Sequence, residues 1–387
     1  MPSTKSYTKI WKRRLNGEKT GWLSSTRLRQ NPWVLVQRRL HSPSVFLDSQ
    51  VSDVKTHKHL GIILSSDLQW NEQVSDVALK AAKRLRYLII GRSQVDQAVL
   101  ENIYLTLIRP VMEYCCAAWS SMTVFSANKL QDIQNRAARL VTGAFKYTST
   151  DVLHKELGWP LLSERRKYFR LTFFQKIVVG ECPAYLQNVL PNQSHQYDTG
   201  NNQVKTFEFK NRQFRDSLLP LAAREFNELH RNFRKKDMKS LTFKKKLKEH
   251  LFTTKPPPRC FRLGSRFPSV AHTRMRMGYS RLRGDTFRNI GTGDPNCITC
   301  ATSETSKHYL LSCPLYDTQR QSMIGKVEDI LRQNSSSARM SSSAWLNLLL
   351  SGSEALTNDA NKEIFDAVHK YIVETRRFDV ASTPEAS

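Results

Sequence analysis

The sequence predicts a mainly α-helical fold that opens on a short β-hairpin, on three observations. Apolar residues recur at three- and four-residue steps through most of the chain's middle. Extended apolar patterns bounded by turn residues are confined to the beginning. Late cysteines cluster with a histidine in a small module of their own.

Residues 1 to about 50 are strongly basic, with Lys12, Arg13, Arg14, Arg27, Arg29, Arg38 and Arg39, and their apolar positions are too scattered for a long helix. A pair of short strands is expected next: Val45-Phe46-Leu47, a turn around Asp48 to Gln50, then His59-Leu60-Gly61-Ile62-Ile63-Leu64 before Ser65-Ser66-Asp67. Helical periodicity follows through Val74, Val77, Ala81, Leu85, Leu88 and Ile89, with Lys80, Lys83, Arg84 and Arg86 largely on other faces and Gly91 as the stop. A second helix runs through Val99, Ile103, Tyr104, Leu107 and Ile108 to Pro110, whose ring is expected to kink or end it. A third turns Leu130, Ile133, Ala137, Leu140 and Val141 inward, leaves Lys129, Arg136 and Arg139 outside, and stops at Gly143. Ser163 with Glu164 is expected to cap a fourth helix that ends at Gly180.

Polar, aperiodic residues 192–206 read as a linker, and a Lys-rich helix through Phe243, Leu247 and Leu251 carries Lys244, Lys245, Lys246 and Lys248. Pro256-Pro257-Pro258 ends that unit as a stiff hinge. The cysteine-containing module, a Ser-rich stretch and a last amphipathic helix through Ile364, Val368, Tyr371 and Ile372 complete the chain, and no internal repeat is present.

Sixty Lys+Arg against 34 Asp+Glu leave a formal charge of +26 over 387 residues, more than solubility requires. A polyanionic partner is implied; a solvated basic surface or a ribosome-bound protein is the plainer alternative. With 40% hydrophobic and 10% aromatic residues the chain can bury cores. No run of 18 apolar residues and no apolar segment near Met1 is present, so neither a membrane partner nor secretion is expected, and the chain reads as intracellular, nuclear or cytoplasmic.

The sharpest local signal is Cys297-x2-Cys300-x7-His308-x4-Cys313. Three thiolates and one imidazole can close a tetrahedral zinc shell, and four protein ligands leave no open position, so the metal would be structural. The alternative is three unrelated thiols near a histidine. Basic tracts are weak signals singly, since a charge run is usually a solvated face, but they repeat in successive elements. The candidate nucleic-acid contacts are Lys58, Lys80, Lys83, Arg84, Lys129, Arg136, Arg139, Arg165, Arg166, Lys244, Lys245 and Lys246. Phe169, Phe173 and Phe174, interleaved with basic residues, read as core in preference to base-stacking platforms. No P-loop, His-Glu-x-x-His, Gly-x-Ser-x-Gly or adjacent Asp-Asp pair occurs, and Asp359 and Glu363 read as first-turn residues of a helix.

In order along the chain, Trp11-x4-Asn16-x2-Lys19-Thr20, His57-Lys58-His59-Leu60-Gly61, Arg109-Pro110-Val111-Met112-Glu113-Tyr114 and Cys297-x2-Cys300-x7-His308-x4-Cys313 resemble LINE-type, non-LTR retrotransposon reverse transcriptases of the jockey-like branch. Trp11-x4-Asn16-x2-Lys19-Thr20 is similar to the segment after the family's catalytic strand, and His57-Lys58-His59-Leu60-Gly61-Ile62-Ile63 to its primer-gripping hairpin. Asp67-Leu68-x-Trp70-Asn71, Arg109-Pro110-Val111-Met112-Glu113-Tyr114 with Trp119, and Leu130-x2-Ile133-Gln134-x-Arg136-Ala137-Ala138-Arg139 resemble the thumb. Leu157-Gly158-Trp159-Pro160, Phe214-Arg215-x2-Leu218-Leu219-Pro220 and the Cys-Cys-His-Cys element with Pro314-Leu315-Tyr316 and Arg320 continue the likeness.

The resemblance implies a mainly α fold: a helical thumb-like bundle with a short N-terminal β-hairpin, a basic helical connector and a small zinc-stabilised C-terminal module. Its expected segments are a palm edge and hairpin (1–66), the bundle (67–191), a linker (192–206), the connector (207–258), a zinc-knuckle-like module (259–334), a Ser-rich linker (335–345) and a C-terminal helix and tail (346–387). It implies binding of RNA or an RNA–DNA hybrid, the element transcript above all. The family's catalytic aspartates are expected just before Trp11, so no catalytic residue is assigned and Lys19 matches only a post-catalytic lysine. Magnesium belongs to an intact polymerase and not to this chain. The expected function is a polymerase fragment that binds without polymerising; the alternatives are a truncated reading of an active reverse transcriptase gene and a non-functional pseudogene product.

Overall fold

The computed structural model describes residues 54–92, 95–191, 203–234, 238–252, 262, 264–334 and 340–379, together with the backbone of Val45–Phe46 and Ser49–Gln50. The Trp11 to Thr20 motif, most of the 192–206 linker and Pro256 to Pro258 lie outside the described residues.

Two antiparallel hairpins precede the helices. β1 (Val45–Phe46) pairs with β2 (Ser49–Gln50), and β3 (Thr56–His59) pairs with β4 (Ile62–Ser65). The expected single strand over His59 to Leu64 is thus corrected: Leu60 and Gly61, at φ 47° and 84°, turn the chain back on itself. Two successive left-handed residues match the twist of a tight hairpin, and glycine takes the second at little cost. The Tyr114 hydroxyl donates to Leu60 O at 2.9 Å, and Gln73 Oε1 accepts from Ile63 N–H at 2.8 Å, so the hairpin is tied to the helices behind it.

The first core is built from α1 (Asn71–Ile90), α2 (Gln97–Ile103), α3 (Arg109–Glu113), α4 (Val124–Thr142) and α5 (Thr150–Leu157). Val74, Val77, Ala81, Leu85 and Leu88 of α1 face Leu130, Ile133, Ala137 and Val141 of α4, so both helices bury the stripes their periodicity marks. Pro110 does not end its helix. A π-helical turn over Tyr104–Ile108 widens the ladder, Arg109 N–H bonds Tyr104 O, and the missing proline donor falls at the first turn of α3, where none is required. Trp159 stacks on buried Tyr104, with ring centres 4.2 Å apart, and donates Nε1–H to Glu101 at 3.0 Å.

α6 (Leu162–Val178) belongs to two cores. Leu162 packs into the first, while Leu171 and Phe174 join α9 (Leu218–Glu228) and α10 (Ser240–Leu251) in a second, with the short α7 (Ala184–Gln187) and α8 (Arg212–Arg215) between α6 and α9 in the chain. Ser163 is not its cap: Leu161 precedes the first turn, and Glu164 reaches back to accept from Leu161 N–H at 2.9 Å. Arg170 makes a two-bond contact of 2.5 and 2.7 Å with Glu225, and Gln175 bridges Ser240 and Met238 O, fastening α6 to α9 and α10. Val204, near the end of the expected linker, is buried and exchanges two backbone bonds with the Asn227 amide.

The third core gathers α11 (Arg266–Met277), α13 (Asp317–Gln333), α14 (Ser342–Ser351) and α15 (Asn358–Thr375), with α12 (Arg283–Ile290) beside it. The cysteine-containing stretch and the last helix therefore share one apolar interior on either side of the Ser-rich segment. α15 opens on Thr357, whose hydroxyl accepts from Ala360 N–H, so Asp359 is a first-turn residue as its sequence suggests.

Candidate functional site

Cys297, Cys300, His308 and Cys313 converge, with all four ligand atoms within 4.8 Å of one another. Cys313 Sγ lies 3.9 Å from Cys297 Sγ and 3.7 Å from Cys300 Sγ, close to the roughly 3.8 Å edge of a tetrahedron with metal–sulfur bonds of about 2.3 Å. These separations are far longer than the roughly 2.05 Å of a disulfide. The buried Nε2 of His308 has no hydrogen-bond partner, while Nδ1 lies 3.2 Å from the Thr302 hydroxyl, the arrangement of a ring whose free nitrogen is reserved for an ion. The set could hold one metal ion.

Local backbone makes this convergence. Cys297 N–H donates to Thr302 O and Ala301 N–H to Cys297 O, closing the turn between the first two cysteines, with Ala301 left-handed at φ 52°. A π-helical turn over His308–Ser312, in which Cys313 N–H bonds His308 O, brings the other pair to the same side. Burial penalises the Cys297 thiolate, but the backbone N–H groups of Thr299 and Cys300 lead the contacts that outweigh it and bring that thiol down to about 7. Burial pushes the Cys313 thiol up to about 12, and the neighbouring sulfurs add to the rise.

Buried side chains lock the site to the third core. Arg320, buried on α13, donates to Cys313 O at 2.7 Å. Glu304, between the ligand pairs, accepts two bonds from Arg377 at 2.6 and 2.7 Å and one from Arg283 N–H at 2.8 Å. Sequence reasoning marked Arg320 and missed Glu304 and Arg377, because a lone glutamate in a polar loop carries no signal until its partner from the chain's far end is known.

The basic candidates divide by exposure. Lys58, Lys83, Lys129, Arg136, Lys245 and Lys246 are exposed; Arg139 and Lys244 are half-buried. Lys80 is exposed and pairs with Asp76, and the exposed Arg84 donates to Leu107 O. Arg165 and Arg166 are a correction, since neither faces solvent freely. Arg165 grips Glu113 through two bonds in the bundle, and Arg166 is 8% exposed on the inner side of α6. An arginine on a helix that packs on two cores has little outer surface left to occupy. Phe174 is fully buried in the second core and half-buried Phe169 packs against the first, whereas Phe173 is half-buried and joins neither. Arg136 and Arg139 open onto a cleft between α1, α4 and α11.

Three proteins of Drosophila melanogaster are similar to this chain. One, "Probable RNA-directed DNA polymerase from transposon X-element", is 26% identical over 125 residues, 32% of this chain and 14% of that protein. The "RNA-directed DNA polymerase from mobile element jockey" is 22% identical over 174 residues, 44% of this chain and 18% of that protein. "Probable RNA-directed DNA polymerase from transposon BS" is 25% identical over 111 residues, 28% of this chain and 12% of that protein. The matched stretches thus span less than a fifth of each relative. No family model and no solved structure matches the chain. Partial sequence likeness to three such polymerases makes this chain a relative of the reverse transcriptases of jockey-like non-LTR retrotransposons.

Proposed function

We propose that the described residues are the nucleic-acid-holding part of a retrotransposon reverse transcriptase: a thumb-like bundle, a basic connector and a zinc-stapled C-terminal module. The observation that carries this reading is the likeness, over as many as 174 residues, to RNA-directed DNA polymerases. The net charge of +26 and the exposed cations of successive helices support RNA or an RNA–DNA hybrid as the partner, bound through phosphates and in a sequence-tolerant way. The element's transcript is the natural substrate, in the nucleus or cytoplasm. Lys83, Lys129, Arg136, Lys245 and Lys246 are the contacts this reading favours.

Phosphoryl transfer is assigned elsewhere than in these residues. Two-metal catalysis needs carboxylates held close together, and the sequence has no adjacent Asp-Asp pair to serve it. Zinc is the metal proposed for the Cys297, Cys300, His308 and Cys313 cluster, because three soft thiolates and an imidazole at tetrahedral spacing suit it. Zinc bound by these residues would hold the three thiols as thiolates and join the ends of the ligand loop.

Two measurements test the reading. The purified chain should bind single-stranded RNA with an affinity that falls steeply with salt, and should give no primer extension; template-dependent synthesis by this polypeptide alone would overturn the assignment of catalysis. Metal analysis should find one zinc per chain, lost when Cys297→Ser and Cys300→Ser are combined. Unchanged zinc in that variant would remove the site.

A further inference from the structure

A cleft of about 820 Å³ lies where the bundle meets the third core, and six arginines line it: Arg92, Arg136, Arg139, Arg266, Arg274 and Arg281. They come from the residues just past α1, from α4, from α11 and from the loop after α11. No aspartate or glutamate is in the lining, and none of the six makes an ion pair among the described residues. Asp285, which accepts from the lining residue Ser280, is occupied by that hydroxyl and by Arg288.

Four of these arginines are held by backbone carbonyls. Arg266 donates to Leu140 O at 2.8 Å, Arg274 to Gly143 O at 2.5 and 2.8 Å, Arg139 to Thr148 O at 3.3 Å and Arg92 to Ile89 O at 2.9 Å. The carbonyls at the end of α4 account for where Arg266 and Arg274 sit. They neutralise no whole charge, however, and they leave donors unused. Arg266 Nη1 and Arg139 Nε are buried without a hydrogen-bond partner among the described residues. Six like charges gathered with no carboxylate among them are costly unless an anion enters the cleft to offset them. The guanidiniums register each other: burial and then Arg281 bring Arg274 down to about 10, and burial and then Arg92 lower Arg266.

We propose that this cleft is a phosphate-binding site whose occupant is the phosphodiester backbone of an RNA strand; the choice of strand rests on the nucleic-acid reading above. Guanidinium forks fit phosphate oxygens two at a time. Phe267, exposed at the rim, and Val270 and Leu140 offer apolar walls against which a sugar or base can lie. The volume falls within the roughly 300–1,000 Å³ typical of sites for small ligands, enough for phosphate-bearing units and not merely for a single ion. Free phosphate or a nucleoside triphosphate presents the same chemistry, and the test separates these sources.

The full chain is compared with Arg92→Gln/Arg136→Gln, both exposed residues whose loss leaves no buried contact unmade, and with Arg92→Lys/Arg136→Lys. Labelled single-stranded RNA is titrated by fluorescence anisotropy across a salt series, and inorganic phosphate and a nucleoside triphosphate by calorimetry. The glutamine variant should bind RNA about tenfold or more weakly, with a log–log salt slope shallower by about 1.4, the equivalent of two phosphate contacts. The lysine variant should keep most of that slope. Triphosphate binding that is lost in the glutamine variant, with RNA binding unaltered, would support the phosphate site and assign it to free phosphates. Equal RNA binding by wild type and glutamine variant, with no phosphate or triphosphate bound, would overturn the cleft and leave the nucleic-acid reading standing. Failure of every protein to bind RNA would overturn that reading instead, and the triphosphate titration would then decide the cleft alone, for it if binding is seen and lost in the variant, against it if none is seen.

Discussion

Arg276 of α11 reaches Glu156, near the end of α5, with Nε and Nη2 at 3.0 and 2.8 Å from one carboxylate oxygen. Its Nη1 donates to Leu350 O of α14 at 3.0 Å, so one guanidinium clamps the bundle to the third core. The two side chains are only 7% and 11% exposed, which keeps solvent from screening the contact. Glu156→Ala takes a carboxylate from a buried cation and should cost about 3–5 kcal/mol. The exposed Lys370–Glu374 pair provides the contrast, and Glu374→Ala should change stability by less than about 1 kcal/mol. Urea denaturation of the two variants measures both.

Gly143 ends α4 in the left-handed region at φ 66°, and a Cβ there would lie 2.6 and 2.7 Å from the two γ-carbons of Val270 on α11. Val270 is β-branched and short, so it cannot swing clear. Gly143→Ala should therefore destabilise by about 2–4 kcal/mol, combining left-handed strain with overpacking at the junction. Adding Val270→Ala should recover the overpacking part and not the backbone part, which a double-mutant cycle resolves.

His272 and His369 form a buried pair, with His272 Nδ1 3.3 Å from His369 Nε2 and His272 Nε2 2.9 Å from Leu349 O. A carbonyl only accepts, so His272 Nε2 carries its ring's proton and Nδ1 accepts from His369 Nε2–H. Burial lowers both imidazoles, that of His272 well below its ordinary value and that of His369 to about 4, with nearby Arg276 adding to each and Asp366 opposing at His369. Between pH 6.5 and about 4 the unfolded chain takes up protons that the folded chain refuses. Stability should be full above pH 6.5 and fall by about 3 kcal/mol from His369 alone as pH drops to 4. Denaturation midpoints measured across that range should flatten in His369→Gln; an unchanged slope would show the acid sensitivity to lie in other groups.

Much of the helical architecture is legible from local pattern. The stripes of α1 and α4, the glycines that stop them and the Thr357 start of α15 each depend on interactions within a few residues of chain, which spacing reports directly. The metal cluster is legible for the same reason, because Cys297 to Cys313 is a single short loop. Leu60-Gly61 could have been read as a turn had the glycine been weighed above the apolar residues around it. Pro110 could not, since whether a helix ends there or loosens by a π turn depends on what its next turn packs against.

The sequence by itself determined the helical class, the order of the basic helices, the likeness to reverse transcriptases and the four candidate ligands. Tertiary structure alone decided which cations remain available. It drew Arg165 and Arg166 into the interior and brought Arg92, Arg266, Arg274 and Arg281 beside Arg136 and Arg139. The reason is physical: helix periodicity reports which face is apolar, whereas the fate of a guanidinium depends on carboxylates and carbonyls far away along the chain, whose positions only packing fixes.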